Sequence, residues 1–223
     1  MWDRGVDMGI QKSYAVFGLG RYGRAVATEL VNSGAEVLAV DIDETIVNSA
    51  ISEIPFCKCA DITDPEVIKR LGISNIDVVI VAMAGNLESS VMAVTLCKEA
   101  GVPTVIVQCG NEMHQKIFSR VGADQVIFPE KESGTRLAKN LLTSGFAEMI
   151  ELSDEVSMVE LDVKEEWVGK TLIELSLRKK YSINVVAVRR NGTIHTTVEP
   201  ASPLEKGMEL IVIANTEKLQ KLK

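Results

Sequence analysis

One stretch limits what this chain can fold into more than any other. Tyr14-Ala15-Val16-Phe17 reads as a short apolar strand, Gly18-Leu19-Gly20-Arg21-Tyr22-Gly23 as a turn carrying three glycines, and Arg24-Ala25-Val26-Ala27 as the continuing helix. The glycines act differently. Gly18 permits the tight turn, Gly20 lets backbone approach a diphosphate, and Gly23 lets the helix lie close on the strand. The unpaired N–H groups at the helix start then face an anion. GxGxxG alone is a weak signal. Here a second strand, Glu36-Val37-Leu38-Ala39-Val40, follows and ends in Asp41, about twenty residues past the turn, where dinucleotide folds place a carboxylate for ribose hydroxyls.

The rest of the chain continues that grammar. Tyr22 to Asn32 has helical apolar spacing and stops at Asn32-Ser33-Gly34; Asp43 to Ser52 reads as a second helix and Phe56 to Ala60 as a third strand, ending at Asp61. Thr63-Asp64-Pro65-Glu66 opens a helix: either the Thr63 hydroxyl or the Asp64 carboxylate can cap it, Pro65 suits the first turn, and Glu66 completes a capping box with Thr63. Asp77 to Ala82 is almost uniformly Val and Ile, as suits a strand buried on both faces of a parallel sheet. A helix over Asn86 to Ala100, a strand over Thr104 to Gln108, a helix over Asn111 to Val121 and a short strand over Gln125 to Phe128 follow. The expectation is an α/β, Rossmann-like, doubly wound parallel sheet of order 3-2-1-4-5-6 with crossover helices.

Beyond Pro129 the alternation changes. Ser133 to Thr143 reads as helix, Gly145 interrupts, and Phe146 to Glu151 reads as a short apolar helix, together a crossover arm whose apolar side is covered by a second subunit. The remainder is expected to form a smaller α+β domain. Val156 to Val163 alternates as a strand, Thr171 and Glu174 form a capping box before a helix to Lys180, and Ile183 to Val188 is a strand. Asn191-Gly192 turns into a hairpin strand over Thr193 to Thr197. Glu209 to Ala214 is a last strand and Glu217 to Leu222 a last helix. The expected division is an irregular tail over 1–12 (Met8 a candidate start), a nucleotide-binding domain over 13–130, the arm over 131–152 and the second domain over 153–223.

Composition narrows the function. With 24 Lys and Arg against 31 Asp and Glu the net charge is −7, and no basic block offers a footprint for nucleic acid. The longest apolar run, Val78 to Ala84, falls well short of the ~20 residues of a membrane span. These features, with no signal segment before the first strand, lead us to expect a soluble chain without membrane insertion. The four cysteines have no disulfide spacing, which fits a reducing compartment. Cys57 and Cys59, alternate residues of one strand, share a face but lack a second ligand pair or nearby histidine, so they read as small core hydrophobes.

At this point the residues resemble a family. The glycine turn, Val40-Asp41-Ile42-Asp43, Ala60-Asp61-Ile62-Thr63, Gly122-Ala123-Asp124 with Phe128-Pro129-Glu130-Lys131, and Val168-Gly169-Lys170-Thr171-Leu172 are similar to the RCK proteins, the regulators of potassium conductance. The form they resemble is the soluble KtrA/TrkA subunit of bacterial potassium uptake systems, and the unit's single copy resembles the KtrA kind. The resemblance covers Lys12 to Lys223. It implies a homodimer assembling into an octameric ring, docked at the cytoplasmic face of a membrane potassium-translocating subunit of KtrB/TrkH type. It implies ATP/ADP, or alternatively NAD/NADH, at the glycine turn. By similarity Gly18, Gly20 and Gly23 line the phosphates, Asp41 holds the ribose, and Asp61 with Ile62 borders the adenine; Leu19, Arg21, Tyr22, Ile42, Asp43 and Ala82 complete the expected cofactor-binding set. Arg21 would reach a terminal phosphate, either its own subunit's or one bound in the neighbouring subunit, where its planar fork suits the geometry. The resemblance further implies a divalent or monovalent cation at the dimer interface through Glu130, and cyclic di-AMP near Arg178, Asn184 and Pro200.

The functional expectation is an allosteric gating subunit rather than a catalyst, switched by a ligand's differential affinity for two states. The competing reading is an NAD(H)-dependent oxidoreductase or redox-sensing Rossmann regulator, sharing the turn and Asp41. An oxidoreductase needs an acid/base, and the two histidines, His114 in a polar helix and His195 on a hairpin strand, read as surface or packed residues.

Overall fold

The computed structural model describes residues 12–142, 146–153 and 155–215. The chain divides after Lys131 into two compact units.

In the first unit, β1 (Ser13–Phe17), β2 (Glu36–Asp41), β3 (Cys57–Cys59), β4 (Val78–Val81), β5 (Thr104–Gln108) and β6 (Gln125–Ile127) form one sheet. Its order is β3-β2-β1-β4-β5-β6 and every pairing is parallel, as the alternation of strands and helices requires. Both faces are covered. Val16, Val78 and Ile80 pack toward Ala27 of α1 (Arg21–Asn32) and Ala50 of α2 (Glu44–Ala50). Ala15, Phe17, Val79 and Val81 pack on the other face, toward Ile68 of α3 (Pro65–Arg70), Val94 and Cys97 of α4 (Leu87–Glu99) and Phe118 of α5 (Glu112–Val121). Successive strand residues point to opposite faces, so a strand such as β4, buried at every position, must read as an unbroken apolar run. Polar staples fix the lower edge and the flanks. Asp77 accepts from the Ser13 N–H at 2.8 Å and the Ser13 hydroxyl at 2.9 Å, and Asp124 joins Lys98 at 2.9 Å while accepting from the Val105 N–H at 2.7 Å.

The structure chooses between the two caps open at one helix start and corrects another start. The cap of α3 is Asp64, which accepts from the Glu66 N–H at 2.8 Å, while the Thr63 hydroxyl donates to Asp61 at 2.7 Å. The expected Thr63–Glu66 capping box is therefore absent, because Pro65 occupies the first helical position and so fixes the residue before it as the cap. Likewise α6 (Pro129–Leu142) begins at Pro129, four residues before the expected start at Ser133.

In the second unit, β7 (Phe146–Glu151), β8 (Val156–Asp162), β9 (Asn184–Arg190), β10 (Thr193–His195) and β11 (Glu209–Asn215) form an antiparallel sheet of order β10-β9-β11-β8-β7. The short helices α7 (Leu172–Leu175) and α8 (Leu177–Tyr181) complete it. Its core joins Val159, Leu161, Trp167, Leu175, Leu177, Leu204, Leu210 and Val212. The Thr171–Glu174 capping box is present in both directions. The expected single helix to Lys180 is broken at Ser176, which takes a left-handed φ of 48°. Asn191 and Gly192, with φ of 52° and 76°, make the hairpin turn between β9 and β10.

Phe146–Glu151, expected as helix, is the edge strand β7, with Met149 paired to Val159 and Ile150 to Met158. Its partner, a strand alternating strictly between core and outer face, supplies a ladder that outweighs local helix preference. The expected tail over 1–11, the break at Gly145 and the last helix over 217–222 lie outside the described residues. Among the described residues, no helix is long and apolar enough to cross a membrane.

Candidate functional site

The carboxyl ends of β1, β2, β3 and β4 frame a cavity of about 260 Å³. It lies where the strand order reverses, at the junction of β1 with β2 and β4, which is where open α/β sheets bind ligands.

The three glycines divide the work. Gly18, at φ +88°, would place a Cβ 2.6 Å from Met83 Cγ and 2.9 Å from the Ala82 carbonyl oxygen. At Gly23 a Cβ would stand 1.9 Å from the Gly18 carbonyl oxygen and 2.9 Å from Ala82 Cβ, so this glycine and Ala82 let α1 settle onto the loop. At Gly20 a Cβ would meet nothing within 4 Å; the space above it is open to a ligand. Gly20 is the cap residue of α1, and no side chain caps that helix or places an acid in its first turn. By contrast α2, α3, α4 and α5 are capped by Asp43, Asp64, Asn86 and Asn111. The partial positive charge at the start of α1 is thus left for an anion.

Asp41 spans the two sides of the crevice. Its Oδ2 accepts from the Leu19 N–H at 2.6 Å and its Oδ1 from the Asp43 N–H at 3.0 Å, holding the glycine turn and the start of α2 to one carboxylate. An ionised carboxylate offers about four acceptor positions, so capacity for ribose hydroxyls remains. Asp61 accepts from the Thr63 N–H and hydroxyl through Oδ1, and these bonds hold its carboxyl below the usual range. Ile42, exposed above the cavity, and Ile62, buried beneath, provide apolar contact suited to a base.

Of the expected residues, Gly18, Asp41, Ile42, Asp61 and Ile62 line the cavity itself. Leu19 is buried and gives its N–H to Asp41, Gly23 and Ala82 meet where α1 packs on the loop rather than in the cavity, Tyr22 is half-buried in the first turn of α1, and Asp43 caps α2. Arg21 is exposed at the start of α1 and makes no side-chain hydrogen bond or ion pair among the described residues. Its neighbour Arg24 is committed, bonded to Glu53 at 2.6 Å and to the Ser49 carbonyl at 2.9 Å, which holds Glu53 below the ordinary carboxylate range. Sequence reasoning missed Met83, Asn86 and Ser89, which close the cavity from the β4 side. The available signal was Asn86, a cap residue directly after the strand that neighbours β1.

Glu130 stands in the first turn of α6, with Gln108 Nε2 3.5 Å from its Oε1, and no group of three metal-ligating side chains gathers among the described residues. Arg178 and Asn184 are exposed on α8 and at the start of β9; Pro200 is exposed in the loop after β10, its carbonyl accepting from the Ile173 N–H at 3.3 Å. The described contacts do not bring these three side chains together.

Comparison with known proteins places this geometry. Residues 14–129 match the TrkA-N domain and residues 156–223 the TrkA-C domain. The chain is 36% identical to the Ktr system potassium uptake protein C of Bacillus subtilis over 206 residues, 92% of this chain and 93% of that one. It is 34% identical to the Ktr system potassium uptake protein A of the same organism, covering 94% and 95%. Among solved structures the GsuK channel superposes with a TM-score of 0.66 at 18% identity, over 97% of this chain and 39% of the channel chain. The GsuK channel bound to NAD gives 0.61 at 17% identity, over 96% and 39%. This chain therefore spans about two fifths of the channel's length, and likeness at that identity speaks to the fold.

Proposed function

The chain belongs to the family that joins a TrkA-N domain to a TrkA-C domain, and from that membership we propose that it is a nucleotide-responsive regulatory subunit of a potassium uptake system. The observation that carries this reading is the match of both domains, over nearly the whole length of each chain, to Ktr potassium uptake proteins. Its partner is a membrane-embedded potassium-translocating subunit of KtrB/TrkH type. The chain acts at the cytoplasmic face, as a homodimer within an octameric ring, and regulates rather than catalyses.

The ligand is an adenine nucleotide. Its phosphates lie over Gly20 at the uncapped start of α1, its ribose at Asp41 and its base between Asp61, Ile42 and Ile62. ATP and ADP differ by one phosphate, and a ligand moves an equilibrium only by its differential affinity for the two states. Arg21, uncommitted beside the anion position, supplies that difference, and a coupling of about 1–3 kcal/mol is typical of such switches. NAD or NADH is the second reading, favoured by the NAD-bound channel among the structural neighbours; both ligand classes present the adenosine ribose that Asp41 suits. Glu130 as a cation ligand would act with groups of a second copy, and Arg178, Asn184 and Pro200 as a cyclic di-AMP surface would do the same.

Calorimetric titration of nucleotide-free protein with ATP, ADP, NAD and NADH tests the reading. Tight ATP and ADP binding with distinct heats is expected. Arg21→Ala should still bind both while losing the distinction between them; a variant that keeps the distinction refutes the role given to Arg21. Preference for NADH over the adenosine phosphates transfers the function to the redox reading.

A further inference from the structure

The second unit contains a cavity that the nucleotide reading does not use, of about 260 Å³ between β9–β10 and the segment 197–204. Its floor is apolar: Leu172, Val188, Leu204 and Met208. Val188 and Arg190 alternate onto one face of β9, and His195 pairs with Val188 across the hairpin, so Arg190 and His195 both stand at the margin of that floor. Glu199, in the loop after β10, also lines the cavity.

The walls are fixed before any ligand arrives. The Gly169 N–H donates to the Leu204 carbonyl at 2.8 Å, the Leu204 N–H to the Lys170 carbonyl at 2.9 Å, and the Ile173 N–H to the Pro200 carbonyl at 3.3 Å. These bonds strap the loop after β10 to the segment that opens α7. Within that loop the Ser202 N–H and hydroxyl both donate to Glu199, at 3.1 Å to its carbonyl and 3.0 Å to Oε2.

The charged groups are only partly spent. Arg190 uses Nη2 on Glu205 at 3.0 Å, leaving most of its five N–H donors. Glu199 uses Oε2, leaving Oε1. The His195 side chain makes no hydrogen bond or ion pair among the described residues. A cation and a carboxylate thus both line a cavity with an apolar floor. The complement of that arrangement is a small molecule with a carboxylate, an ammonium and an apolar tail. Size agrees: at about 30 Å³ per water the cavity holds roughly nine heavy atoms, below the ~300–1,000 Å³ usual for sites of drug-sized ligands.

We propose that this cavity binds a free α-amino acid with an apolar side chain, its carboxylate on Arg190 and His195, its ammonium on Glu199 and its side chain against Val188, Leu204 and Met208. The site is separate from the nucleotide crevice, and neither Arg178, Asn184 nor Pro200 lines it. Because Arg190 and Glu199 are exposed, neither ion pair holds the ligand alone; both ends and the tail must engage together.

Calorimetric titration of the full chain with L-leucine tests this. Saturable binding is expected, with 4-methylpentanoate (no ammonium), 3-methylbutylamine (no carboxylate) and glycine (no tail) each weaker by about tenfold or more. Arg190→Gln and Glu199→Gln should each weaken L-leucine by a similar factor and leave nucleotide binding unchanged. In the unsubstituted protein, L-leucine should shift the His195 ring resonances, a readout that does not depend on any variant folding. Absence of binding by L-leucine, an analogue that binds as tightly, or unchanged affinity in both variants overturns the proposal.

Discussion

Replacing each glycine of the turn by alanine separates fold from function at three positions within six residues. At Gly23 the new Cβ would lie 1.9 Å from a backbone oxygen, and Cβ contacts below 3.0 Å are essentially never found. The first turn of α1 must then retreat by about 1 Å, and overpacking of this kind costs about 1–3 kcal/mol or more where backbone has to yield. A melting point lower by several degrees is expected, at about 2–4 °C per kcal/mol for a chain of this size. Gly18→Ala should also destabilise, because φ of +88° is strained for any side chain and the Ala82 carbonyl stands 2.9 Å away. Gly20→Ala is the informative case. Its φ of −63° and ψ of −174° suit alanine, and loss of unfolded-state freedom contributes about 0.4–1 kcal/mol of stability. Alanine is a poorer cap than glycine by about 0.5–1 kcal/mol, which roughly cancels that gain, so the melting point should move by no more than about 2 °C. Nucleotide affinity should nonetheless fall by tenfold or more, because the methyl stands where the phosphate must approach. Differential scanning calorimetry paired with nucleotide titration reads both. A Gly20→Ala protein that melts like Gly23→Ala, or that binds nucleotide normally, refutes the assignment of roles.

Two further outcomes follow from single side chains. Burial pushes the Cys97 thiol up to about 12 and raises Cys57 as well, while Cys59 is exposed and Cys109 buried. Ellman's reagent on native protein should find one fast thiol, which Cys59→Ser removes; a surviving fast phase contradicts the burial pattern. The Ser13 N–H and hydroxyl hold the Asp77 carboxyl below its ordinary value. A depressed folded-state value means stability that is present above the unfolded carboxyl's ~3.9 and lost as pH falls through the lower one. Ser13→Ala should therefore be less stable than the parent in urea at neutral pH, with the gap narrowing below about pH 4; an equal gap at both pH values means the hydroxyl acts by packing alone.

What the sequence made legible was whatever a local pattern decides. The turn at Gly18 to Gly23, the carboxylate after β2 and the uniformly apolar β4 each carry their own signal, and the sheet order follows from alternation and handedness. Phe146–Glu151 carried no such signal. It is six residues long, without alternation, and helix and strand are indistinguishable there until the ladder with β8 is known. The far wall of the cavity was hidden for a related reason. Met83, Asn86 and Ser89 meet the glycine turn only because β4 lies beside β1, an adjacency that no spacing within either segment expresses. Pro65 and Pro129 were readable and under-used, since proline at a first helical position names the residue before it as the cap.

The hydrogen bonds around the crevice constrain how a nucleotide could signal. Asp41 ties the Leu19 N–H of the turn to the Asp43 N–H at the head of α2. Beyond these, Arg24 of α1 binds the Ser49 carbonyl of α2 and Glu53 in the turn after it, and Thr28 of α1 reaches Glu53 at 3.2 Å. The glycine turn and the N-terminal half of α1 are thus fastened to α2 and the turn that follows it, above a face packed through Val16, Ala27, Ala50 and Ile54. A body fastened in this way does not absorb the loss of a terminal phosphate by letting one helix slide past the other. The discriminating contact must then come from a group outside that lattice. Arg21 fits: its neighbour Arg24 is fully engaged and Arg21 is not, so its guanidinium can follow the phosphate without first breaking a bond of the fold. Breaking the fastening instead, with Glu53→Ala, should loosen α1 from α2 and diminish the difference between ATP and ADP while Arg21 stays in place. If the difference persists undiminished in that variant, α1 and α2 need not move as one body for the switch to work.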